Sequence, residues 1–217
     1  MTEDEATIIN YALTDIGAGP MFSIDDDSEL AEQIQHVWQP VVDRCFGMHY
    51  WSFARKTYRL TRLSATPGNG FSYGFELPGG RIGNPLRYAA DARCRSPIRD
   101  FTLEAGQFFC DQADVWSQCR VYVAPTHWPP EWRAAFITAL GAYLAVPVWQ
   151  DRQMRDDMLV EAFGTTSRDG AGGVFGRLMA QDAASQPQGD PQTWDEPLSN
   201  ARFNSGRDHW AGRYAFD

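Results

Sequence analysis

The side chains best suited to catalysis are few in this chain. Its four histidines are His36, His49, His127 and His209. None stands in an H-E-x-x-H pattern, in which two imidazoles four residues apart share a helix face and hold a metal, and none accompanies a G-x-S-x-G nucleophile elbow. His36 falls beside the expected buried face of a helix, where a core or surface role accounts for it. The four cysteines, Cys45, Cys94, Cys110 and Cys119, contain no C-x-x-C pair and have no histidine at zinc-finger spacing. In a reducing compartment they are expected to be buried free thiols.

The carboxylates are more numerous. Asp25-Asp26-Asp27-Ser28 could chelate a cation, but Ser28 or Asp27 as an N-cap, with the other acids facing the positive end of a helix, explains the run fully. Asp156 and Asp157 are adjacent, so on a helix they point apart and do not share a substrate. Carboxylates from distant segments can still converge, as in a glycosidase, and that possibility stays open. The stretch Gly170-Ala171-Gly172-Gly173-Val174-Phe175-Gly176 resembles a nucleotide loop only superficially. It follows no strand and its glycine spacing is wrong for dinucleotide binding, so a helix break is expected. No Gly-Lys pair exists for a phosphate-binding Walker loop. No catalytic, cofactor-binding or metal residue is assigned, and no enzymatic activity is expected.

The 217 residues are enough for one large domain or two small ones with a real core. Hydrophobic residues at 43% and charged residues at 22% match a soluble globular protein. The eight Trp and eight Tyr favour a member of an assembly, since these residues are enriched at interfaces; a Trp-rich core is the other account. No apolar run approaches the roughly 20 residues that span a bilayer, and the start, Met1-Thr2-Glu3-Asp4-Glu5, is acidic where a secretory signal is basic. Synthesis in the cytoplasm and no membrane association are expected.

Charge is unevenly spread. Residues 1–49 hold ten acids and one base, Arg44; residues 50–104 hold nine bases and four acids; residues 105–217 hold fourteen acids and nine bases. The total of −9 argues against a sequence-reading DNA binder, which normally carries a basic footprint. All the bases but Lys56 are arginine, which suits bidentate pairing at interfaces and is equally the mark of a codon bias.

Periodicity supplies the elements that would position these residues. Ile9, Ala12, Leu13 and Ile16 predict a helix over 3–16, with Thr2 as cap and Glu5 completing a capping box, ended by Gly17. Leu30, Ile34, Val37, Trp38, Val41, Cys45 and Met48 keep helical phase over 29–49, with Pro40 expected to kink the helix. From 55 to 63 the pattern alternates, with Lys56, Tyr58 and Leu60 on one face of a half-buried strand. Phe71, Tyr73 and Phe75 continue the alternation, and further short strands are expected near 86–90, 99–104, 107–111 and 116–123, as in a small sandwich or barrel. Helical spacing returns with Trp132, Phe136, Leu140, Tyr143 and Leu144, then over 151–163, and in a short helix at 174–184; Pro147 is expected to end or bend the first of these. The fold expected is therefore α+β: an antiparallel helical bundle of 1–50 and 128–184, with a β domain, 51–127, inserted between helices two and three. Residues 185–217 show no period yet keep Trp194, Leu198, Phe203, Trp210, Tyr214 and Phe216, and are read as an extended arm that docks its aromatics elsewhere. The alternative is that the arm packs on its own domain.

Three stretches carry a family resemblance. The first is Ile8-Ile9-Asn10-Tyr11-Ala12-Leu13-Thr14-Asp15-Ile16-Gly17-Ala18 with Phe22-Ser23-Ile24-Asp25-Asp26-Asp27-Ser28. The second is Trp38-Gln39-Pro40, Asp43-Arg44 and Trp51-Ser52-Phe53-Ala54-Arg55. The third is Tyr122-Val123, Trp128-Pro129-Pro130-Glu131-Trp132, Phe136, and Ala139-Leu140-Gly141-Ala142-Tyr143-Leu144-Ala145. In order and spacing they resemble the head-to-tail adaptor, or tail tubular A, proteins of short-tailed bacteriophages. The resemblance implies a virion structural protein made in the host cytoplasm, a dodecameric ring between the portal protein and a tail nozzle (tail tubular B-type) protein, with DNA conducted through its channel and no cofactor. Carboxylates facing the channel, with residues 1–49 as candidates, would keep phosphates from sticking. Contacts with a neighbouring subunit or the portal are expected from Trp194, Arg202, Phe203, Trp210, Arg213 and Tyr214. The competing readings are a neck adaptor of a long-tailed phage or gene transfer agent, and a phage-encoded hydrolase built on converging carboxylates.

Overall fold

Asp4 starts the first helix. In the computed structural model, which describes residues 4–20, 23, 29–165, 167 and 172–185, its carboxylate accepts the Thr7 amide at 2.9 Å and the Thr7 hydroxyl at 2.8 Å. Helix α1 then runs Glu5–Asp15. The expected start at residue 3 with a Thr2 cap is thus corrected: the carboxylate three residues before Thr7 is the acceptor that meets the first-turn amide, and its charge also suits the helix N-terminus. At the far end the Ala18 amide reaches the Leu13 carbonyl at 2.8 Å and the Gly17 amide reaches Thr14 at 3.0 Å. This termination requires a left-handed residue, and Gly17 supplies it at φ 79°.

Four more helices follow among the described residues: α2 (Glu29–Gly47), α3 (Pro130–Trp149), α4 (Arg152–Phe163) and α5 (Gly173–Ser185). Pro40 lies inside α2 without ending it. Both Pro40 and His36, whose carbonyl loses its helical donor, are exposed, so water is at hand for that carbonyl. Pro147 likewise lies within α3, which runs on to Trp149. Asp151 caps α4 by accepting the Met154 amide at 3.0 Å.

Helix α3 packs against α1, α2 and α4 and buries residues on all sides, from Trp132 to Ala145. Its small residues permit this: a Cβ at Gly141 would lie 2.7 Å from Met158 Cε and 3.3 Å from Ile16 Cγ2. By length and composition α3 is also apolar enough to cross a membrane, which corrects the expectation that no run approaches that length; half of the qualifying window is buried within the protein. A helix covered by neighbours on several sides acquires the same composition as a bilayer span.

Among the described residues seven strands make two antiparallel sheets. They are β1 (Arg55–Arg59), β2 (Thr61–Arg62), β3 (Tyr73–Glu76), β4 (Arg87–Ala89), β5 (Thr102–Glu104), β6 (Gln107–Cys110) and β7 (Trp116–Arg120). The three-stranded sheet has the order β1-β7-β4, the four-stranded sheet β2-β3-β6-β5. The single strand expected over 55–63 is corrected: it divides at Leu60, which is buried and donates its amide to Val115 at 2.8 Å, and its two halves join different sheets. The expected alternation fails with it, because Lys56 is exposed and Tyr58 only half-buried. A strand that serves two sheets does not present one face to one core. Between β5 and β6 the two turn residues, Ala105 (φ 48°) and Gly106 (φ 76°), are both left-handed, the geometry that matches strand twist in a two-residue hairpin.

Most of the buried apolar residues among those described fall into two clusters. The larger draws on Ile8 to Ala54 and on Trp128 to Leu178 and contains Trp38, Trp51, Trp128 and Trp132, four of the six described tryptophans. The smaller comprises Leu60, Phe75, Leu77, Tyr88, Phe108, Cys110 and Val115, with Tyr88 stacked on Phe108 at 4.0 Å. The chain divides into two units, Met1–Ala184 and Ser185–Asp217.

Candidate functional site

The closest approach to a catalytic constellation gathers around Asp182. His49 follows the end of α2, Ser52 opens a 3-10 turn (Ser52–Ala54), and Asp182 sits in the last turn of α5. Asp182 Oδ2 lies 3.1 Å from His49 Nε2 and 4.0 Å from Arg55 Nη2, while Oδ1 accepts the Ser52 hydroxyl at 2.5 Å and the Ser52 amide at 3.1 Å. The residue types are those of a hydrolytic triad, but the connectivity is not. In a triad the imidazole stands between hydroxyl and carboxylate so that it can take the hydroxyl proton. Here the carboxylate stands between the other two. It caps the amide of a 3-10 turn whose own N-cap, Trp51, makes no side-chain cap, and it anchors α5 to the junction between α2 and β1.

Three carboxylates have their acidity displaced downward. Asp4 is held below the ordinary range chiefly by the Thr7 amide, Asp91 chiefly by the Ser96 amide, and Asp111 chiefly by the Ser72 hydroxyl. A general acid at neutral pH needs the opposite displacement. Burial pushes all four thiols up, Cys45 most, so they stay protonated and poorly nucleophilic. All four are free, as the sequence leads one to expect. Among the described residues no group of three or more His, Cys, Asp or Glu is placed to hold a metal ion.

Surface chemistry is concentrated in the strand region. The Arg62 guanidinium lies 4.0 Å from the Tyr73 ring centre, and Arg59 pairs with Asp114 at 2.5 Å beside Trp116. Between β4 and β5 the Asp91 carboxylate accepts the amides of Arg93 (3.1 Å), Arg95 (3.2 Å) and Ser96 (2.7 Å), which shapes a loop whose Arg93, Arg95 and Arg99 are exposed. Large apolar groups also reach the surface: Phe101 and Leu103 at β5, Tyr11 on α1, and Trp149 at the end of α3, whose indole donates to the Ile16 carbonyl at 3.0 Å.

The contact residues expected from the sequence, Trp194, Arg202, Phe203, Trp210, Arg213 and Tyr214, lie outside the described residues, as do Asp25, Asp26, Asp27 and Ser28. Sequence reading missed the meeting of His49, Ser52 and Asp182, because partners 130 residues apart carry no local signal. It also missed the arginine loop as a unit, although the excess of bases over 50–104 was its trace. No protein-family model matches this chain, and no curated protein matches it.

Proposed function

We propose that this chain is a virion structural protein, a head-to-tail adaptor that stands as one copy in a dodecameric ring between the portal and the tail nozzle of a short-tailed bacteriophage and conducts DNA. The observation that carries this reading is the make-up of the larger core. Both ends of the described chain, up to Ala54 and from Trp128 onward, contribute to it, while the strands between build a smaller core of their own. The finer architecture we read from this is an antiparallel helical bundle with a sandwich-like β module inserted between α2 and α3, as the resemblance implies. A spacer of this kind needs rigid packing and interfaces rather than a reactive cleft. The anchoring geometry at Asp182 and the downward-displaced carboxylates are in keeping with that.

Charge supports the conduit role. The chain carries a net charge of −9, and residues 1–49 hold ten acids against one base. Carboxylates repel passing phosphates, and a channel works only if DNA does not adhere to it. The test is to mix the purified chain with portal rings encoded by the same genome and examine the product by size exclusion and electron microscopy. A ring of this protein on one face of the portal is expected; failure to bind the portal would remove the reading.

A further inference from the structure

We propose that the arginine loop and the edge strand beside it form the subunit-to-subunit docking surface, and that its occupant is the acidic helical face of a second copy of this chain. The inference rests on the ring reading above and names the contact that would close the ring.

Strand β5 lies at an edge of the four-stranded sheet, so one row of its backbone groups has no strand partner. Edges of this kind invite association, and proteins usually blunt them with charge on the strand itself. Here the strand and its approach expose Phe101 (37%) and Leu103 (39%) between the exposed carboxylates of Asp100 and Glu104, and Glu104 accepts the Asn69 side-chain amide at 3.3 Å. The loop that carries Arg93, Arg95 and Arg99 leads directly into Phe101, whose ring lies 5.1 Å from that of Tyr88 in β4, and exposed Arg87 opens β4. No ion pair among the described residues involves Arg87, Arg93 or Arg95. Asp100 and Asp111 share a hollow with Arg99 and Ser96, so the attraction falls chiefly to Arg87, Arg93 and Arg95. Asp91 holds three amides of the loop, which lowers the ordering cost of presenting these guanidiniums. Apolar anchors rimmed by arginine are the usual make-up of a protein interface.

Charge complementarity selects the occupant. A closed ring joins each subunit to the next through two different patches of one chain. This chain exposes both signs: Arg87, Arg93 and Arg95 at the loop, and Asp15, Glu32 and Asp43 on the first two helices. DNA would also meet the arginines, but the net −9 of the whole chain opposes its approach.

The experiment compares the full chain, an Arg93→Glu/Arg95→Glu variant and a Glu32→Arg/Asp43→Arg variant by sedimentation velocity, free and on portal rings, in about 50 mM and about 500 mM salt. Wild-type association should weaken about tenfold or more at the higher salt, a readout that needs no variant. Each variant alone should fail to associate, and an equimolar mixture should recover association, because every contact in it again pairs opposite signs. Circular dichroism and melting of each variant control for folding. Unchanged association in the loop variant, a folded mixture that does not recover, or no wild-type association in either setting overturns the proposal. So does loss of duplex-DNA binding, rather than of self-association, in the loop variant. If wild type and variants all form portal-bound rings, this surface is wrong and the adaptor reading stands. If the charge swaps behave as stated but no portal binds, the adaptor reading falls alone.

Discussion

The Asp182 carboxylate accepts the backbone amide of Ser52, 130 residues earlier in the chain, at 3.1 Å. One side chain in the last turn of α5 thereby satisfies the opening of the turn that leads from the helices into β1, and it holds His49 as well. The arrangement joins late and early parts of the described chain at the point where helical structure gives way to strands.

Asp182→Ala should therefore destabilise the protein by about 1.5–3 kcal/mol, the range for hydrogen bonds to a charged group, since the 11%-exposed carboxylate serves several donors. Ser52→Ala, which keeps the amide contact, should cost about 1 kcal/mol. Urea unfolding of the two variants checks the order. Equal losses would mean that the hydroxyl, not the amide, is the important donor.

Asp4, Asp91 and Asp111 all have acidity displaced downward by hydrogen bonds to the ionised form. The ordinary value is 3.8, so their contribution to stability is complete above it and fades as pH falls through the lowered native values. Melting temperature should fall as pH drops below about 4. Asp91→Ala should flatten that acid limb while lowering stability at neutral pH, because the Ser96, Arg95 and Arg93 amides then lose their acceptor. An acid limb as steep in the variant as in wild type would assign the pH dependence to other groups.

The Ala105 turn holds an alanine at φ 48°. Left-handed backbone costs an L-residue roughly 1–2 kcal/mol, which glycine avoids at some cost in unfolded-state entropy. Ala105→Gly should accordingly raise stability by up to about 1 kcal/mol, and Ala105→Asn should act in the same direction. Thermal melts decide it; a loss of stability in both would show that the turn does not carry this strain.

Gly141 separates two effects of opposite sign. Alanine adds helix propensity worth about 1 kcal/mol, and the nearest obstruction to its Cβ is Met158 Cε, the far end of a flexible chain, at 2.7 Å. Gly141→Ala should be close to neutral. Gly141→Leu should lose about 1–3 kcal/mol or more, because Ile16 Cγ2 at 3.3 Å and the Ala12 carbonyl at 3.6 Å belong to a packed neighbouring helix. A stable Leu variant would mean that α1 and α4 can move apart without loss.

Much of this protein was legible as local pattern. The phase of Ile34, Trp38, Val41 and Cys45 determined a helix, the glycine after Ile16 determined where α1 stops, and short alternating runs marked the strands. The separation of acids before residue 50 from bases after it was also written in the sequence. These properties depend on neighbours within a few positions, where backbone preference and periodicity act. Tertiary structure alone decided that Leu60 divides one apparent strand between two sheets, that Asp182 rather than a nearby residue caps Ser52, and that Phe101 and Leu103 stay partly exposed beside the arginine loop. Each of those outcomes depends on which distant surfaces pack together, a balance summed over many pairs that no single stretch of chain contains.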